Sequence, residues 1–141
     1  MRKRYAIGSL MLLLSISGCK KDELVLEDLT TNPFDFDYTG QSVFEQVATR
    51  TVTYTSGAEE LLKLEVDVRV NTALFPVATS YGVRYRLPSG LTSDVIVADL
   101  TDNVFTMTEF DVTVGTNYCF VPRLTNNGAS GSGATICATA E

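Results

Sequence analysis

The sequence predicts an all-β fold, a seven-stranded antiparallel β-sandwich. Three observations carry that expectation. Apolar and polar residues alternate with period two through most of the chain beyond residue 43. Turn-forming residues recur between the alternating runs. No long amphipathic helical repeat follows the N-terminal region; Glu59-Glu60-Leu61-Leu62 is the one stretch with helical character, and Ser56-Gly57 before it fits a turn between strands better.

The elements follow in order. Val47 to Thr55 is rich in Thr, Val and Tyr, side chains that fit a pleated surface. Leu62 to Val70 alternates apolar and charged residues so regularly that one face must be buried and the other solvated. Tyr81, Val83, Tyr85 and Leu87 mark the third strand, ended by the Pro88-Ser89-Gly90 turn. Val95 and Val97 mark a fourth and Phe105 to Val112 a fifth. Tyr118 to Leu124 and Ala134 to Ala138 form a closing pair around a Gly/Ser-rich loop. Before them, Lys20 to about Ser42 is acidic and aperiodic, with Asn32-Pro33 as a breaker, and reads as a linker.

The N-terminus sets processing before folding. Arg2, Lys3 and Arg4 precede an apolar run from Tyr5 to Ile16, interrupted by Gly8 and Ser9. That is shorter than the ~20 residues a spanning helix needs, so it reads as a signal peptide. Its end, Ile16-Ser17-Gly18-Cys19, resembles the lipobox of bacterial lipoproteins. The resemblance implies cleavage before Cys19, with that thiol carrying a lipid anchor. The domains expected are a signal peptide over 1–18, a lipidated acidic linker over 19–42 and the sandwich over 43–141. Lys20-Lys21-Asp22-Glu23 resembles the charged export signal of surface-exposed lipoproteins of the Bacteroidota, which implies an outer-membrane protein facing the cell exterior.

Composition narrows the chemistry. The 141 residues include no His, which removes Ser-His-Asp, Cys-His and His-zinc sites. The formal net charge is −6, and loss of residues 1–18 leaves eight basic against seventeen acidic side chains, a charge of −9. No nucleic-acid partner is expected of such a chain. Once Cys19 carries lipid, Cys119 and Cys137 remain as a pair outside the reducing cytosol. Both read as outward-facing, and both are equidistant from Gly128, so a hairpin centred there places them opposite each other. A two-residue type I′ turn at Asn127-Gly128 would instead set Cys119 against Ile136; the register decides whether the disulfide forms.

At Val112-Thr113-Val114-Gly115-Thr116-Asn117-Tyr118-Cys119-Phe120 the pattern resembles the E–F corner of fibronectin type III domains, an immunoglobulin-like sandwich family. The resemblance covers about residues 43 to 141. It implies that Tyr118 is the tyrosine-corner residue, its hydroxyl bonded to backbone just upstream, with Phe120, Pro122 and Leu124 facing inward. Asn126-Asn127-Gly128 and the Gly/Ser run resemble the long F–G loop of bacterial members. The family's strand-B tryptophan is missing, with Leu64 or Val66 in its place, which leaves another immunoglobulin-like sandwich open.

Other motifs carry weaker chemistry. Asp35-Phe36-Asp37-Tyr38-Thr39-Gly40 matches the start of a calcium loop, but its twelfth position is Gln46 and Pro33 stands where a helix should enter; an acidic linker is the better reading. Gly128 to Gly133 lacks the lysine and helix of a phosphate cradle and reads as a flexible hairpin loop. Asp94, Asp99 and Asp102 are candidates for paired-carboxylate hydrolysis, with no forecast cleft. Phe34, Phe36, Tyr38 and Tyr54 are candidates to stack on sugars, but aromatics packed under the linker are the better reading. The expected function is non-catalytic binding or scaffolding without a cofactor or metal. It would be exercised through protein contacts beside an outer-membrane assembly, or alternatively through glycan binding or adhesion.

Overall fold

The computed structural model describes residues 31–76, 79–90 and 93–141. The expected signal peptide, Cys19 and the first part of the linker lie outside the described residues. The strands are β1 (Phe44–Ser56), β2 (Glu59–Val70), β3 (Gly82–Arg86), β4 (Val95–Ile96), β5 (Val104–Phe110), β6 (Asn117–Asn126), β7 (Ala129–Ser130) and β8 (Ile136–Thr139). No α-helix occurs among the described residues. One sheet has the order β1-β2-β5; in the other, β4-β3-β6 continues into β7, and β8 also pairs with β6. Every named pairing is antiparallel.

The period-two pattern explains how the sheets meet. Leu64, Val66 and Val68 of β2, with Phe105 and Met107 of β5, turn one way and are buried. Val83 and Tyr85 of β3, with Phe120 and Leu124 of β6, supply the facing layer of the same core. Leu64 and Val66 are both fully covered, and no tryptophan is needed to fill the space. Each such side chain contributes roughly 1.5–3 kcal/mol by leaving water. The Tyr85 hydroxyl accepts the Thr108 N–H at 3.3 Å and so joins the two layers by a hydrogen bond.

The turn expected near Ser56-Gly57 is present, and Glu59 to Leu62 after it opens β2. Other expectations are corrected. β1 begins at Phe44 and carries a bulge between Gln46 and Ala48. The closing strand is split in two, β7 and β8, both following β6. Between them Gly131 N–H still bonds Leu124 O (2.9 Å) and Ala134 N–H bonds Pro122 O (3.1 Å), so the Gly/Ser run is neither a long loop nor a free one.

The register resolves the cysteine question in an unforeseen way. Asn127 and Gly128 have φ of 45° and 88° and connect Asn126 directly to its partner Ala129, as a type I′ turn requires. That register alone would oppose Cys119 to Ile136. The irregular stretch between Ser130 and Ile136 takes up one extra residue, and beyond it Cys119 pairs with Cys137. Type I′ turn and opposed cysteines therefore coexist.

The linker is also corrected in its described part. Phe34 belongs to the core and meets Phe75 edge to face at 5.2 Å. Asn32 Oδ1 accepts the Phe34 N–H (3.1 Å), turning the chain inward. Asp35 O accepts Ser132 N–H (3.0 Å), and Tyr38 O accepts the Ser132 hydroxyl (3.2 Å). A Cβ on Gly131 would collide with Pro33 O, so the absence of a side chain there is what lets the segment dock. Packing of aromatics under the linker, the better reading from sequence, holds for Phe34 and in part for Tyr38; which of them anchors the segment is not legible there, because the stretch carries no period.

Candidate binding surfaces

With one side chain in two turned inward, function rests on the outer faces and the sheet edges. On the β1-β2-β5 sheet the outward residues form cross-strand rows. Val52, Lys63 and Phe110 make one row, Tyr54 and Leu61 the next. Tyr54 meets Phe110 edge to face at 5.2 Å, with Phe110 53% exposed. The Tyr54 hydroxyl donates to Asp111 Oδ1 at 2.5 Å, and that bond, with burial second, raises its pKa. This end of the face sets its apolar and aromatic side chains around Lys63.

The rest of that face is a charge lattice. Arg50 Nε reaches Glu65 at 2.6 Å and its Nη1 reaches Asp67 at 2.5 Å; Lys63 binds Glu65 at 2.5 Å, and Arg69 faces Glu45 at 3.7 Å. Thr106 donates to Asp67 Oδ1 (2.6 Å). Hydrogen bonds from Lys63 and Arg50 hold the Glu65 carboxyl below its ordinary range, against burial, which pushes it up. For Asp67 burial is the largest influence and pushes upward, but the bonds from Arg50 and Thr106 prevail and its pKa is lowered. Arg50 is raised, first by Asp67 and then by Glu65.

β1 is the outermost strand of its sheet, 13 residues long, and among the described residues no strand pairs with its free side. Its sequence is β-branched and carries only Glu45 and Arg50 as charges. Such an edge is a template for another chain. The opposite sheet has different outer faces and edges: β4 is two residues long, with Ile96 80% exposed, and Arg84 of β3 lies directly opposite Arg123 of β6.

The structure places the residues singled out from sequence as follows. The Tyr118 hydroxyl accepts the Thr113 N–H at 2.8 Å while its ring packs against the core. Cys119 and Cys137 are joined by a disulfide across β6 and β8, with Cα atoms 4.0 Å apart. Phe120, Pro122 and Leu124 are fully buried. Of the candidate stacking aromatics, Phe34 is buried, Tyr38 is partly buried against the core and Phe36 is 73% exposed. Asp94 lies beside Arg86 at 3.5 Å, whereas Asp99 and Asp102 border an open recess with Arg50, Asp67 and Arg69, so the three acids do not share one place. Asp35 Oδ1 accepts from the Asn32 side chain (3.4 Å), and no metal-holding group of acidic or Cys side chains occurs among the described residues. Glu109 is the buried charged residue that sequence reading passed over; it occupies an inward position on β5, and its Oε2 has no hydrogen-bond partner among the described residues.

The fold and its surfaces thus define an all-β domain of two antiparallel sheets with one long open edge. No protein-family model matches the chain, and no curated protein or solved structure matches it either.

Proposed function

We propose that this chain is a non-catalytic binding or scaffolding lipoprotein that makes protein–protein contacts at the exterior of an outer membrane. It would be anchored through Cys19 and serve as an accessory to a membrane assembly. The charged start, the apolar run and the lipobox-like Ile16-Ser17-Gly18-Cys19 support the anchor. Its body reads best as a fibronectin type III-like, seven-stranded immunoglobulin-like sandwich. The strand orders β1-β2-β5 and β4-β3-β6, the corner hydrogen bond of Tyr118 and the shared alignment of β7 and β8 as one interrupted strand support that reading.

The observation that carries the function is the open 13-residue edge of β1 beside the Tyr54–Phe110 pair, in which Phe110 is exposed and Tyr54 half-buried. A long edge offers main-chain hydrogen bonds, and an adjacent aromatic offers a side-chain anchor. The two rings meet at an interplanar angle of 75° and make no flat platform for a sugar, which weighs toward a protein partner over a glycan. The test is purification of the full chain in mild detergent from its native membrane, as the parent and as Phe110→Glu. A stoichiometric membrane protein that copurifies with the parent and is lost from a variant of unchanged melting temperature is the expected result. A partner-free monomer from the parent would contradict the reading.

A further inference from the structure

Charge divides between the two sheets in a way that the net total hides. Strands β1, β2 and β5 carry Glu45, Glu59, Glu60, Glu65, Asp67 and Glu109 against Arg50, Lys63 and Arg69. Strands β3, β4, β6, β7 and β8 carry Arg84, Arg86 and Arg123 and no carboxylate. These arginines alternate with the buried Val83, Tyr85, Pro122 and Leu124, so they occupy the outer face.

Arg84 and Arg123 are direct cross-strand partners, an arrangement in which like charges repel. Among the described residues neither meets a carboxylate, although every cation on the other outer face does. Arg123 Nε is buried without a hydrogen-bond partner. Its guanidinium is held close to the chain at Gly133, where a Cβ would stand 3.0 Å from Nε and closer still to Val121. Two cations so paired repel each other, and an anion lying over the outer face between them relieves that repulsion.

We propose that the Arg84–Arg123 pair is a recognition site for carboxylates on an acidic segment of a protein partner. The inference deepens the binding reading but uses the opposite face from Phe110, so the two fail separately. Charge complementarity selects the occupant. Guanidinium forks match carboxylates bidentately. Ile96, the cross-strand neighbour of Arg84 on β4, adds an exposed apolar contact that suits a peptide side chain. No outward position of these strands is aromatic, so a sugar ring finds nothing to stack on. A phosphodiester chain is held by a longer run of phosphate contacts than three arginines supply.

The test uses the full chain in mild detergent with three probes: a synthetic peptide of alternating Glu and Leu, polygalacturonate, and phosphatidylglycerol vesicles. The peptide is expected to bind, more weakly as salt rises, and at least tenfold more weakly to Arg84→Gln and to Arg123→Lys, which keeps the charge and loses the fork. Arg69→Gln, on the other face, is expected to bind as the parent does. Arg84→Gln is expected to melt no lower than the parent, because it removes repulsion, so it decides the question even where Arg123→Lys folds poorly. Equal peptide affinity of Arg84→Gln and parent would overturn the proposal. Binding of polygalacturonate or vesicles without the peptide would overturn it as well.

Discussion

On the outer face of the β1-β2-β5 sheet, Arg50 bridges Glu65 and Asp67 while Lys63 shares Glu65. On the outer face of the other sheet, Arg84 opposes Arg123 and no acid stands between them. Both faces are built by the same alternation on the same kind of ladder, yet one ties all its cations to carboxylates, and on the other only Arg86 has one, Asp94, among the described residues. What secures the second sheet lies elsewhere: a disulfide between β6 and β8 and the Tyr118 hydroxyl at the corner leading into β6. Local alternation decides which side chains face water; pairing across strands decides whether those side chains satisfy one another.

The largest effect that sharpens this contrast is covalent. Replacing Cys119 and Cys137 together by Ala is expected to cost about 3 kcal/mol for a closed loop of this length, read by denaturant unfolding. Hydrogen exchange should speed up first in β8, with β2 and β5 little changed. Equal acceleration in both sheets would break the division. Next, Tyr118→Phe leaves the Thr113 N–H without its acceptor and is expected to cost ~1 kcal/mol, a fall in melting temperature of roughly 4–8 °C for a domain of this size.

A smaller effect belongs to the first sheet. Glu65 and Asp67 titrate lower in the folded chain than in the unfolded one, so their contribution is complete above the ordinary carboxylate range near pH 4 and is lost as pH falls through their depressed folded values. Arg50→Gln removes the partner common to both carboxylates, and is expected to cost about 0.5–1 kcal/mol at pH 7 and to flatten the stability loss on acidification. An acid-unfolding profile identical to the parent's would contradict the lattice. The smallest effect is Arg84→Gln, expected to raise stability by up to about 0.5 kcal/mol by relieving a like-charge pair.

These features were unequally legible in the sequence. The β2 strand was plain, because Leu64, Val66 and Val68 alternate with charges and only a strand separates them onto two faces. The inward set on β6 and the Tyr118 corner were readable from a short motif. Where Phe34 docks was not, since the apolar residues of this acidic stretch follow no period, and its anchor on Gly131 lies about a hundred residues away in sequence. The opposition of Arg84 and Arg123 was invisible for a related reason: each is an ordinary outward residue of its own strand, and only the β3–β6 register brings them together. The open edge of β1 depends on strand order, which local pattern does not encode.

Amide hydrogen exchange reads binding through the β1 edge at the strand itself. The full chain would be measured alone in detergent and as it is drawn from its native membrane with whatever it carries. Alone, the free-side amides of Phe44–Ser56 should exchange much faster than those of β2, which is paired on both sides. In the membrane-derived sample the account requires protection concentrated in β1 and around Phe110. Unchanged exchange along β1 in the presence of a bound partner would contradict it.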